Sequence, residues 1–204
     1  MKQVIISLAI LILSCIPIFS QAQSSDSATF WKPIPRNYNV KQAFEVESLF
    51  PMFLYGGWHL GVGYRYKKFR ARFSVINGGS YNADVQAIDG VIDGFERYYT
   101  TSPGIFLGYN VWKNLEVYSY YERHTFEIKQ IATNETGEIA SNDFGIGLSY
   151  QFFIGRTFYI MPGVHTYWRP NTSVSFSNSQ NYNIPTFELT PIVRIGARLW
   201  KQFD

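Results

Sequence analysis

Six carboxylates and six arginines share one parity along this 204-residue chain. Glu45, Glu47, Glu116, Glu122, Asp143 and Glu188 stand against Arg65, Arg70, Arg72, Arg169, Arg194 and Arg198. Each sits in a segment where charged, small or polar residues alternate with apolar ones. Charge taken out of water must be paired or it costs several kcal/mol per ion. The balance of signs therefore predicts an internal ion-pair network. Such a network can plug a lumen or line a gated ion path. The plug is the expected role, because a closed wall of eight strands leaves an interior that side chains fill.

His59, His124 and His165 take the same inward parity. No two of them have the i, i+2 spacing that would put a ligand pair on one face of a strand. Each is expected to satisfy local hydrogen bonds. Asp84, Asp89, Asp93 and Glu96 lie near Gly90 and Gly94, but their spacing is not that of an EF-hand loop. A solvated loop is expected there. No metal, cofactor or catalytic group is expected anywhere in the chain.

The elements that must position these charges announce themselves by a two-residue rhythm. In residues 57–66, Trp58, Leu60, Val62, Tyr64 and Tyr66 share one face, and His59, Gly61, Gly63 and Arg65 share the other. A strand alternates its side chains at this period. Eight segments show it: 42–53, 57–66, 69–77, 102–111, 114–129, 142–153, 156–169 and 185–200. The first loses its parity near Ser48-Leu49. No segment carries a helical period.

Residues 1–22 read as a secretory signal. Lys2 supplies the positive charge, Val4 to Leu13 the apolar run, and Ser20 and Ala22 of Ser20-Gln21-Ala22 the two small residues that a signal peptidase reads before a cut after Ala22. Pro17 and the shortness of the run argue against a permanent helical span. A lipidation box at Ile12-Leu13-Ser14-Cys15 is the lesser alternative, since apolar residues follow Cys15 where a polar tether is usual. Cleavage would take away Cys15, the single cysteine, and with it any disulfide or thiolate chemistry. It would also take Lys2 from the 18 basic residues that face 15 acidic ones. No basic block remains to suggest nucleic acid. Residues 23–41, with Pro33 and Pro35, are expected to form an irregular lead-in.

Connection lengths alternate. Tight turns are expected at Tyr66-Lys67-Lys68, Val111-Trp112-Lys113-Asn114 and Phe153-Ile154-Gly155-Arg156, and long links at 78–101, 130–141 and 170–184. Only the first link on the long side, near Leu54-Tyr55-Gly56-Gly57, is short. Thr172 to Ser177 still alternates, so the flanking strands are expected to run on beyond a bilayer, which about 9–11 tilted residues cross. Protruding strand edges could add a partner's strand.

A soluble lipocalin-like barrel would turn the apolar face inward. Glycine placement argues otherwise. Gly61, Gly63, Gly104, Gly108, Gly145, Gly147, Gly163 and Gly196 all take the polar parity, where they would weaken a wet surface but make room in a crowded lumen. Register across the 112–114 turn is expected to set Gly108 opposite Tyr118. Tyr66, Tyr109, Trp112, Tyr150, Phe152, Phe158 and Trp200 gather on the short-turn side as an aromatic girdle. Lys67, Lys113, Arg156 and Lys201 sit beside them, able to reach lipid headgroups.

The chain thus resembles, over 42–203, the small outer-membrane barrels of the OmpA-transmembrane-domain and OmpX type. The resemblance implies an all-β fold, an eight-stranded antiparallel up-and-down transmembrane barrel, in the outer membrane of a Gram-negative bacterium. It implies outer-membrane lipid and the barrel-assembly machinery as partners. Such barrels end on an aromatic residue; here Phe203 is followed by Asp204. Some relatives modify lipid A. The deacylase kind places a Ser two residues after a His, but Tyr167 follows His165. The palmitoyltransferase kind starts with a helix, which Pro33 and Pro35 oppose. The expected function is non-catalytic, with a structural, adhesive or ligand-binding role through the outer loops. A lipid A-modifying enzyme and a narrow pore are the alternatives.

Overall fold

The computed structural model describes residues 40–82, 94–155 and 157–203, and does not describe the side chains of Tyr55, Ser80, Tyr81, Asn82 and Phe203. The signal segment with its cleavage site, the lead-in up to residue 39, the centre of the 78–101 link with Asp84, Asp89 and Asp93, and Arg156 all lie outside the described residues.

Thirteen strands appear among the described residues: β1 Val40–Leu49, β2 Trp58–Tyr66, β3 Phe69–Asn77, β4 Gly79–Asn82, β5 Phe95–Tyr99, β6 Ser102–Trp112, β7 Leu115–Gln130, β8 Thr136–Tyr150, β9 Phe152–Ile154, β10 Phe158–Trp168, β11 Ser173–Ser175, β12 Asn181–Asn183 and β13 Phe187–Phe203. Eight of them close a ring in the order β1, β2, β3, β6, β7, β8, β10, β13 and back to β1, every pair antiparallel. The fold is a closed eight-stranded antiparallel barrel, as the alternation predicts. Closure leaves no edge within the ring. Neighbouring strands meet one another's backbone groups except near Thr166, where Ile146 N donates to Thr166 Oγ1 and the Tyr120 hydroxyl to Thr166 O.

The polarity is inside-out. Trp58, Leu60, Tyr64, Phe73, Ile105, Leu107 and Ile146 are exposed on the outer face, whereas Glu45, Arg65, Arg70, Arg72, Glu116 and Arg198 are buried in the lumen. Aromatics mark both limits of the apolar belt. At the short-turn end Phe69 meets Tyr109 at 5.0 Å between ring centres, and Tyr150 meets Phe152 at 4.6 Å. At the far end Tyr121 pairs with Phe144, Phe144 with Trp168, and Trp168 with Phe187, one aromatic on each of four adjacent strands. Beyond that row the outward residues turn polar: Arg123 and Asn142, then Glu127 and Glu138.

Two bulges enrich the short-turn rim. The β1–β13 register slips between Phe44 and Glu45, and the β6–β7 register slips between Asn110 and Trp112. Each extra residue lets two neighbours face outward, Leu199 with Trp200 and Val111 with Trp112. The girdle gains a tryptophan at each place, and Lys113 Nζ lies 4.6 Å over the Trp112 ring.

Several boundaries differ from the sequence reading. The first strand begins at Val40, two residues early, and stops at Leu49; Phe50–Tyr55 is a 3-10 helix. Phe50 matches strand parity, which hid the change, but Pro51 at the helix start and Gly56 in a left-handed conformation (φ 73°) at its end demand a turn. The 130–141 link shrinks to 131–135, because β8 starts at Thr136. The 78–101 link holds β4 and β5, paired to each other and, through β5, to the top of β7. The alternation at 172–177 belongs to a separate hairpin, β11–β12, not to a continuation of β10.

Candidate functional site

Two places concentrate chemistry: the packed lumen and the β-structure above its mouth opposite the short turns. The lumen charges divide into two groups. Near the short-turn end lie Glu45, Glu47 and Glu116 with five arginines. Arg70 Nη2 stands 2.6 Å from Glu45 and 2.8 Å from Glu47, and its Nη1 stands 3.4 Å from Glu116. Arg72 spans Glu47 at 2.8 Å and Glu116 at 3.0 Å. Arg198 forks onto Glu45 at 2.7 and 2.8 Å, and Arg194 reaches Glu47 at 3.4 Å. Those last two pairs follow from the pairing of β13 with β1, which sets Arg198 directly opposite Glu45. Arg65 lies 3.7 Å from Glu45 and 3.8 Å from Glu116, and donates to Gln151 at 2.8 Å. Gln151 and Tyr159 complete the network, Tyr159 Oη donating to Glu47 at 3.2 Å.

The strands explain why these groups meet. Glu45 and Glu47 are two residues apart on β1, as are Arg70 and Arg72 on β3, and β2 between them offers Gly61 and Gly63 inward. Long side chains from β1 and β3 therefore cross over a glycine floor. The same device recurs. A Cβ on Gly108 would run into the Glu116 carboxylate at 2.6 Å, and one on Gly104 into Glu122 at 2.5 Å.

Tyr118 does stand opposite Gly108 in register, but its ring lies across Gly147 on the other neighbour, β8. Glu116 takes the space over Gly108 instead. Tyr120 likewise lies over Gly145, and its hydroxyl donates to Thr166 O. Phe106, Tyr118 and Tyr120 form an aromatic layer above the first charge group. Arg72 is stacked 4.9 Å from the Phe106 ring and 4.8 Å from the Tyr118 ring.

Above that layer the second group gathers Glu122, Asp143, Arg169 and Glu188 around His124. Glu122 and Asp143 are direct cross-strand partners. His124 bridges them, Nδ1 at 2.7 Å from Asp143 and Nε2 at 3.2 Å from Glu122. Arg169 joins Asp143 at 2.8 Å to Glu188 at 2.7 Å. The twelve charges singled out in the sequence thus line the lumen at two levels, eleven of them buried and the Glu188 side chain still 33% exposed. The other histidines are apart: His59 Nδ1 accepts the Leu49 amide at 3.0 Å, and His165 packs edge-on to Tyr167 at 4.5 Å. Among the described residues, no three His, Cys, Asp or Glu converge as metal ligands do.

The second place lies where the sequence reading put the outer links and protruding strand edges, but the core that joins them was not read from the sequence. Above the aromatic row at Tyr121–Phe144, β4, β5, β7 and β8 form one protruding sheet. The β11–β12 hairpin packs on its inner face. Phe95, Phe126, Ile128, Ile139, Phe176, Tyr182 and Ile184 bury themselves together as a core of their own. Phe95 lies 5.3 Å from both Phe176 and Tyr182. Polar bonds fasten the rim: Ser177 N and Oγ donate to Glu135, Gln130 donates to Gln180, and Asn171 donates to Ala140 O at 2.9 Å. The signal available was the inward alternation of Phe126, Ile128 and Ile139 past the span, matched by Val174, Phe176 and Tyr182.

Known proteins give a likeness of fold. No family model matches the chain, and no curated protein matches it. Among solved structures it is similar to the N-terminal β-barrel domain of Pseudomonas aeruginosa OprF, at 13% identity over 76% of this chain and 95% of that one, TM-score 0.40. It is similar to a major outer membrane protein from Thermus thermophilus, at 13% identity over 78% and 99%, TM-score 0.47. It is similar to Neisserial surface protein A, at 9% identity over 78% and 95%, TM-score 0.41. The architecture here rests on the chain's own closed ring of strands.

Proposed function

We propose that this protein is a non-catalytic, non-conducting barrel of the outer membrane that acts through the β-structure above its outer mouth. The observation that carries the reading is the inverted wall. An apolar outer face bounded by two aromatic rows would be unstable in water, and suits a hydrocarbon layer. The twelve lumen charges neutralise one another and fill the bore, so their role is to hold the barrel shut and rigid. The outer cap is then the part that meets the surroundings, in a structural, adhesive or ligand-binding role.

The cap also supports a protein partner. Above Phe144, β8 pairs with β7 on one side, and among the described residues no strand pairs its other edge. An extended segment of a partner could add there. In this reading outer-membrane lipid surrounds the belt and the barrel-assembly machinery inserts it.

Planar-bilayer recording of the purified protein tests the closed lumen, with the expected result a silent membrane. Discrete conductance steps would move the reading to a narrow pore. Mass analysis of lipid A from cells with and without the protein tests the absence of catalysis. Identical lipid A is expected, and a new acylation pattern would make the protein a lipid-modifying enzyme.

A further inference from the structure

The outer rim is lopsided. On the β7–β8 side the wall continues as the protruding sheet. Half a turn around the ring, on the β1–β2 side, it stops at the 3-10 helix Phe50–Tyr55. This connection is built unlike the others. No charged residue occurs from Leu49 to Trp58. Met52 turns inward and packs on the apolar layer at the top of the lumen. Phe50, Phe53 and Leu54 turn away from it and are 49%, 54% and 71% exposed. Their patch continues directly into the belt through Trp58 and Leu60, which are exposed on the outer face of β2.

Three large apolar side chains facing water at a loop would be a costly arrangement, and their continuity with the belt names what covers them. We propose that the Phe50–Tyr55 helix is an interfacial anchor, with Phe50, Phe53 and Leu54 seated among the lipid chains at the outer surface of the bilayer. The inference rests on the transmembrane reading and goes beyond it: this rim is pinned in lipid while the opposite rim rises out of it. Short apolar elements bind interfaces through the area they bury there, with backbone polar groups met inside the turn. Here Gly57 N donates to Met52 O at 3.0 Å and Gly56 N to Phe53 O at 3.4 Å, so the end of the turn meets two of its carbonyls from within.

Spin labelling tests the anchor. In a Cys15→Ser background of the full chain, which has no other cysteine, three single variants are made: Leu54→Cys on the helix, Phe73→Cys in the belt and Asn178→Cys on the cap. Each is labelled with a nitroxide in dilauroyl phosphatidylcholine vesicles, and its collision rates with oxygen and with a water-soluble nickel chelate are compared. The expected result is that position 54 favours oxygen several-fold over nickel, approaching position 73, while position 178 favours nickel. If 73 favours oxygen but 54 behaves as 178 does, the anchor is refuted and the transmembrane reading stands. If 73 also favours nickel, the transmembrane reading falls and takes the anchor with it. Dipolar broadening at 54 that disappears on dilution with unlabelled protein would show a second copy covering the patch, and would overturn the lipid assignment. Low collision with both reagents and no broadening would place the helix inside the protein, which also overturns it.

Discussion

The hydroxyl end of the Tyr118 ring lies over Gly147 on the adjacent strand, in the space a Cβ would need. A lumen this narrow holds large side chains only by removing others, so aromatics and glycines are matched across neighbouring strands. Gly147→Val should therefore push Tyr118 into Arg72, which packs on its ring, and cost about 1–3 kcal/mol as overpacking does. Urea unfolding of the protein in lipid measures it. The double variant with Tyr118→Leu should recover part of the loss, and no recovery would show that the two sites are independent.

Arg70 touches three buried carboxylates, Glu45, Glu47 and Glu116. Arg70→Leu should destabilise the barrel by about 3–5 kcal/mol, the cost of leaving buried charge without its counterion. Arg70→Lys should restore only part of this, because one ammonium cannot fork onto three acids. The temperature at which the compact form is lost on gels measures both. A Lys variant equal to wild type would show that charge, not geometry, is what matters there.

His124 separates two carboxylates that face each other across β7 and β8, and like charges directly opposite are destabilising. It lies just below the cap, edge-on to Tyr99 at 4.9 Å. His124→Leu should let the top of β7 and β8 open locally. Hydrogen exchange should speed up at Phe126–Gln130 and stay slow at Arg70 and Arg72. Uniform acceleration in both regions would make His124 a support of the whole barrel.

The cap has its own core, so it should fail separately. Phe176→Ala removes a ring buried against Phe95 and should cost the cap about 3–5 kcal/mol. The β11–β12 hairpin should become open to protease on intact cells while the barrel keeps its compact gel mobility. Loss of both together would show that cap and barrel fold as one unit.

Much of this architecture is readable from residue order alone. The bounds of β3 match the alternation, and those of β2 differ by one residue, because nothing but a half-exposed strand makes Phe69, Ala71, Phe73 and Val75 alternate with Arg70, Arg72, Ser74 and Ile76. The approach of Arg198 to Glu45 follows from closing the ring. What stayed hidden depends on packing between distant segments. Phe176 and Tyr182 look like residues of a polar hairpin until Phe126 and Ile139 are seen beneath them. Which glycine Tyr118 covers depends on the lean of its side chain, not on register. The lost parity near Ser48-Leu49 marks the end of β1, but the apolar run from Leu49 to Tyr55 carries no period that tells a 3-10 turn from a continuing strand.

The central claim is a closed barrel standing in the outer membrane. Gel mobility of the protein from an outer-membrane fraction, with and without boiling, tests it most directly. A compact, faster band that converts on heating to the position expected of the unfolded chain is predicted. A protein recovered from the soluble periplasm, with a single band before and after boiling, would contradict the claim and favour a water-soluble barrel.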